Sequence, residues 1–166
     1  MTAKFLAVAA LLAACAPAPS PRAGSGGGTA TAPAPASPAA PGGQVQQAVS
    51  LINRHRARVR CPALIWDSRA AAAAQAHSDD MERRDFFSHT SPEGRGPVQR
   101  LQAQGVTSFA YVAENIAKTG GGPQDVVSLW LNSPQHRANI ENCQYTHHGL
   151  ALRRDYWTHV FFTPRG

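Results

Sequence analysis

Lysine is almost missing from this chain. Sixteen of its 166 residues are Lys or Arg and the formal net charge is +6, yet beyond residue 43 Lys118 is the only lysine. So strong a skew toward arginine is what GC-rich coding produces, rather than the mark of a site. No nucleic-acid-binding motif accompanies it and the basic excess is small, so nucleic acid is not an expected partner. Long apolar runs are lacking too. The longest, which opens with Phe5 to Leu12 (FLAVAALL), is too short to span a bilayer. There is no internal repeat. No glycine-rich phosphate loop follows a strand: Thr119 to Gly122 lacks the lysine and the context. No Ser-His-Asp or Cys-His nucleophile order stands out.

What is present begins with an address. Lys4 precedes the short apolar run, which ends in Leu12-Ala13-Ala14-Cys15. A basic start, a short apolar core and small residues read as an export signal, residues 1–14. The small residues before Cys15 resemble the bacterial lipobox, whose cysteine is lipidated; an ordinary signal peptide that discards Cys15 is the alternative. Ala16 in place of Asp favours the outer membrane if the cell is Gram-negative. Residues 15–43 are nearly all Ala, Pro, Gly, Ser and Thr. Such a stretch buries no core and is expected to be a disordered tether. Its length gives a reach of roughly 30 Å as a coil and about 85 Å as polyproline.

Residues 44–166 make one domain of ordinary size, expected to be a monomer. With Cys15 lipidated, Cys61 and Cys143 remain. An even pair in an oxidising compartment reads as a disulfide, against two buried thiols. It would close a loop of about 80 residues, worth on the order of 4 kcal/mol in the chain-entropy model.

Val45, Ala48, Val49 and Ile52 recur at i, i+3, i+4 and i+7, a one-faced helix ending near Val59. Its Arg-rich end, Arg54 to Arg60 with His55, reads as the solvated face of that helix; a patch for anionic surfaces is the alternative. Asp67 stands as N-cap before a second helix, residues 68–84. Residues 86–97 hold too many turn formers for regular structure. Residues 98–104 form a short helix closed by Gly105, residues 111–116 an extended segment, and residues 124–132 a helix. Ser133 caps a further helix with Pro134 at its first position. Residues 149–153 and 156–162 read as two strands joined at Arg154-Asp155, and His147-His148 as a surface loop.

Five short motifs follow in order: AxxHSxxM (Ala74, His77, Ser78, Met81), FSH (Phe87 to His89), AEN (Ala113 to Asn115), W-x2-SPxHRxNI (Trp130 to Ile140) and YWTHVF (Tyr156 to Phe161). In this order they resemble the bacterial branch of the CAP superfamily: cysteine-rich secretory, antigen 5 and pathogenesis-related (SCP-like) proteins. The resemblance covers residues 44–166. It implies an α+β fold, a CAP-type α-β-α sandwich with a small, mainly antiparallel sheet between helical layers. It also implies a cleft in which two histidines and two acids can hold a divalent metal. His89 matches the first histidine and Glu114 the first acid. The place of the second acid falls at Ser133 and that of the second histidine at Tyr156. His136 then becomes a substitute ligand or acid/base, unless it only hydrogen-bonds a neighbouring loop.

The chemistry these residues offer is threefold. His89, Glu114 and His136 could hold zinc, the cofactor this set would take, and leave one position open. Without metal, Glu114 could accept a proton from water while His89 or His136 donates one. The same groups, with Tyr156, Asn115 and Ser133 as binding residues, could simply hydrogen-bond a sugar or peptide. His77 is expected to pack. Period 2 sets His159 on the strand face opposite Tyr156. The expectation is a lipid-anchored, extracytoplasmic binding module for wall, lipid or protein ligands, with peptidoglycan among its candidate partners. The alternative is a metal-assisted hydrolase.

Overall fold

The computed structural model describes residues 42–166. The export segment, the Cys15 lipidation site and all but the last two residues of the tether lie outside the described residues. Helix α1 (Gly43–Arg58) buries Ala48 and Ile52, the stripe its periodicity marks. A two-residue strand β1 (Ile65–Trp66) follows. Asp67 then caps α2 (Ser68–Arg84), its side chain accepting from the Arg69 and Ala70 amides at 2.8 and 3.1 Å. That satisfies two donors which a helix start leaves unpaired. Residues 86–96 form no helix or strand. Helix α3 (Pro97–Ala103) leads through Gly105 at φ +83° to β2 (Phe109–Lys118), longer than the apolar pattern marks. Helices α4 (Pro123–Asn132) and α5 (Pro134–Glu141), then strands β3 (His147–Arg153) and β4 (Tyr156–Pro164), complete the fold.

The sheet runs β1-β3-β4-β2. β1 lies parallel to β3, while β3–β4 and β4–β2 are antiparallel. Strand alternation divides the core. Trp157, Phe161 and Leu150 pack with Trp130, Ile52 and Ile140 of the α1, α4 and α5 layer. Val160, Phe162 and Ala151 pack with Ala70, Ala73 and Ala74 of α2 and Leu101 of α3. Helical layers on both sides of the sheet make the α-β-α sandwich. Cys61 and Cys143 are paired, their Cα atoms 5.0 Å apart across a separation of 82 residues.

Alanines let α2 sit very close to the sheet. A Cβ added at Gly149 would stand 2.0 Å from the Ala71 nitrogen and 2.2 Å from the Ala70 carbonyl carbon. Neither atom can move without the helix. Gly149→Ala should therefore cost about 3 kcal/mol, the upper end of ordinary overpacking. A shift of the urea midpoint at unchanged slope measures it; a midpoint within error of the native one would refute the close approach.

Three expectations need correction. His147 and His148 are strand, not loop: they pair with Ile65 and Trp66, and His148 is fully buried. A two-residue strand is too short to register as a pattern, so nothing local marks the start of its partner either. Arg56 is not solvated. It is fully buried, and its guanidinium donates to the carbonyls of Pro62, Ile140, Asn142 and Tyr145 at 2.7–3.0 Å. Ser133 occupies the cap position of α5, and its carbonyl accepts from the Arg137 amide at 2.8 Å. Its side chain makes no capping bond, so Pro134 and the backbone alone start that helix.

Candidate functional site

β2 is an edge strand, and its open side is where the two helical layers can meet. Glu114 belongs to the strand face turned toward α2 and α3, in register with Val160. Its side chain is only 1% exposed. One carboxylate oxygen, Oε1, accepts from His89 Nδ1 at 2.9 Å, and the other, Oε2, accepts from Arg100 Nη2 at 2.7 Å. A carboxylate only accepts, so Nδ1 carries a proton, which in the neutral ring leaves the lone pair on Nε2 of His89. That ring is 46% exposed. His89 thus presents an acceptor to solvent from a base of buried charge.

Two further side chains hold the loop that carries His89. Arg100, on α3, also donates to the His89 carbonyl at 2.9 Å and the Arg95 carbonyl at 2.7 Å. His77, buried on α2, bonds the Ser88 carbonyl at 2.9 Å. Burial, the leading cause, lowers the His77 pKa below the ordinary value, so the ring is neutral and donates through Nε2–H. His77 packs, as expected, and also fixes the turn before His89. Arg100 is the residue that sequence reasoning missed. Nothing in a short helix of mixed composition marks one arginine as the buried partner of a glutamate fourteen residues on.

From the other layer, α5 brings His136. Asn115, on the β2 face opposite Glu114 and fully buried, donates to the His136 carbonyl at 3.0 Å and accepts from Asn139 Nδ2 at 2.8 Å. Burial, then the charge that neighbouring His89 carries when protonated, lower the His136 pKa. The two imidazoles are therefore near enough to feel each other's charge. The adjacent pair Glu114-Asn115 works both sides of the strand, one holding the His89 loop and the other the first turn of α5.

The family model for the cysteine-rich secretory protein family, CAP, matches residues 49–163. The chain belongs to this family. It is 32% identical over 127 residues to the uncharacterized protein YkwD of Bacillus subtilis, covering 75% of this chain and 49% of that one. It is 35% identical over 116 residues to the uncharacterized membrane protein YlbC of the same organism, covering 70% and 33%. The CAP domain thus spans half or less of these curated relatives. Among solved structures, an extracellular SCP-domain protein of Bacillus anthracis matches with TM-score 0.70 and 36% identity, covering 73% of this chain and 40% of that one. An outer surface protein of Borrelia burgdorferi matches with TM-score 0.67 and 24% identity, covering 74% and 93%; that likeness concerns the fold.

Within the CAP domain the remaining candidates fall away from this group. Tyr156 is 4% exposed and packs with Met81 and Ile116. It pairs with Lys118, four residues along β2 from Glu114, or about 13 Å at strand rise. Its hydroxyl takes a 2.5 Å bond from Lys118, so it is a core residue with a polar tip. His159 lies on the opposite face, as period 2 requires. Asn115 is too buried to touch a ligand and acts by positioning α5. Ser133 makes no side-chain bond among the described residues.

The set does not fit zinc as it stands. Both oxygens of Glu114 are engaged, one of them by a guanidinium that would repel a cation. Among the described residues no group of three His, Cys, Asp or Glu side chains lies close enough to hold a metal ion. What the arrangement can do is accept a hydrogen bond at His89 Nε2, with a second neutral imidazole nearby.

Proposed function

We propose that this CAP domain is an extracytoplasmic binding module. A polar group of an envelope ligand, a wall saccharide or peptide, docks at the β2 edge between His89 and His136. The observation that carries the reading is Glu114, whose two oxygens are both committed to His89 and Arg100. A carboxylate so held orients a histidine; it is not free to bind metal or take a proton from water. Phe87, exposed at 51% two residues before His89, adds the apolar contact that saccharide and peptide sites use. The Cys61–Cys143 disulfide suits an oxidising compartment. The extracellular relative from Bacillus anthracis supports the same location. No helix among the described residues is long and apolar enough to cross a membrane; lipid at Cys15 is the attachment this reading takes.

A second reading, hydrolysis, draws on the same dyad. A histidine backed by a carboxylate is a general base in form. Its acid partner would be His136, whose lowered pKa leaves it neutral at pH 7 and so without a proton to give readily. Binding remains the better account.

The test is a calorimetric titration of the purified protein with soluble peptidoglycan fragments, and separately with zinc. Fragments should bind, His89→Ala should weaken them by about tenfold or more, as for a central contact, and zinc should show no sub-micromolar site. Tight zinc binding abolished by both His89→Ala and His136→Ala would overturn the reading and restore the metal-assisted hydrolase.

A further inference from the structure

Behind the cleft, between α2 and α3, lies a pocket of about 260 Å³ that the cleft does not use. Its apolar part is made of methyl groups, from Ala73, Ala76 and Ala103. Its polar part is dominated by donors. Arg83, Arg95 and Arg100 line it, against the single carboxylate of Asp80. Asp80 is already bridged by Arg83 and Arg84, and the charge of Arg100 is met by Glu114. Arg95 is only loosely paired: Glu93 is 4.0 Å away and is held more closely by Arg84. Gln99 uses its amide oxygen on the Gly96 nitrogen at 3.0 Å, which leaves its NH2 group as donor. Arg100, only 8% exposed, keeps Nε without a partner. A small-molecule site needs concavity, an apolar wall and a few converging polar groups. This pocket has all three, and its donors outnumber its acceptors.

We propose that this pocket is a second binding site, for a small anion carried on a short aliphatic body, with Arg95 as its anchor. A carboxylate or a phosphate at Arg95 and Gln99 would place its aliphatic part on the three alanine methyls. The site stands independently of what occupies the cleft. It is nonetheless joined to it, because Arg100 lines the pocket and holds both Glu114 and the His89 carbonyl. An anion that draws on Arg100 would loosen its grip on Glu114.

Isotope-labelled protein, titrated with N-acetylalanine and separately with methyl phosphate, tests this by NMR. The expected result is saturable shifts of the Ala76 methyl and the Arg95 and Gln99 side-chain signals, with a dissociation constant of about 1 mM or tighter, as befits so small a ligand. The probe that saturates identifies carboxylate or phosphate as the preferred anion. The His89 ring signal should move with the same constant. Arg95→Gln removes the anchor, and Ala76→Leu fills the space from an exposed position; each should abolish saturation without changing the spectrum of the core. Linear, unsaturated shifts with both probes, or saturation that survives both substitutions, would overturn the proposal.

Discussion

Replacing Arg56 with methionine should lower the unfolding free energy by about 4 kcal/mol, most of it from carbonyls left without donors. The guanidinium serves four of them, on Pro62, Ile140, Asn142 and Tyr145. Those carbonyls belong to the turn after α1 and to the end of α5 with the connection that follows it to β3. Cys61 and Cys143 lie within the same two segments, and the Cys61 amide bonds the Arg56 carbonyl at 2.9 Å. One buried side chain and one disulfide therefore fasten the same junction. Methionine keeps much of the volume, so cavity formation contributes little and the loss reads the hydrogen bonds. Arg56→Lys should recover only a minor part, because a compact ammonium cannot reproduce a planar fork reaching four acceptors. Guanidinium titration at pH 7.5 measures both variants. A loss below about 1 kcal/mol for methionine would mean that water replaces the guanidinium, an outcome at odds with a fully buried junction.

The Arg-rich end of α1 shows where sequence reasoning stops. The spacing of Val45, Ala48, Val49 and Ile52 fixes which side of the helix faces the core, and Ala48 and Ile52 are buried accordingly. Arg56 continues that stripe four residues beyond Ile52, so its position was legible while its chemistry argued the other way. A charge is assigned to water by default because burying one is costly unless it is paired. Here the pairing comes from four backbone carbonyls contributed by segments far along the chain, and no local pattern announces them. His148 is the same case. Its burial follows from pairing with β1, two residues that no periodicity could reveal.

At the cleft the order of motifs was sufficient to bring His89 and Glu114 together, and they do share a hydrogen bond. The motif also contains Asn139, whose bond to Asn115 steadies the turn that carries His136. What the motifs did not contain was Arg100. Its presence alters the chemistry of Glu114 from a free carboxylate to a neutralised one. Tyr156 departs from expectation for a different reason. Alignment of motifs places a residue on a strand, but the height along that strand is set by register, and Tyr156 pairs with Lys118 rather than with Glu114.

Mild acid should destabilise this domain through His148 and His159. Both are fully buried, and their rings meet at 2.8 Å between His148 Nδ1 and His159 Nε2. One nitrogen donates and the other accepts, so at least one ring must be neutral, and burial without a counter-charge disfavours charging either. Desolvation, then the charges of Arg56 and His147, push the His148 pKa down to about 3. Desolvation, then His148 and Arg56, push that of His159 well below its ordinary value. In the unfolded chain each titrates near 6.5. The unfolded state therefore binds more protons across the interval below 6.5, and stability rises with pH there. Above 6.5 the contribution is present in full. As pH falls from 6.5 toward 3, His148 removes about 1.4 kcal/mol per pH unit, and His159 acts with the same sign. By pH 5 His148 alone should have cost about 2 kcal/mol, with His159 adding to the loss in the same direction. His77, also buried with a lowered pKa, acts with the same sign. Urea unfolding at pH 7.5 and pH 5.0 gives the difference directly. His148→Leu should reduce that difference by roughly 2 kcal/mol, since one titrating ring is gone, whatever it does to stability at pH 7.5. Arg56→Met should reduce it too, by removing a cation that helps keep both rings neutral. A pH dependence that is equally steep in His148→Leu would place the acid sensitivity elsewhere and leave the buried pair without a role in it.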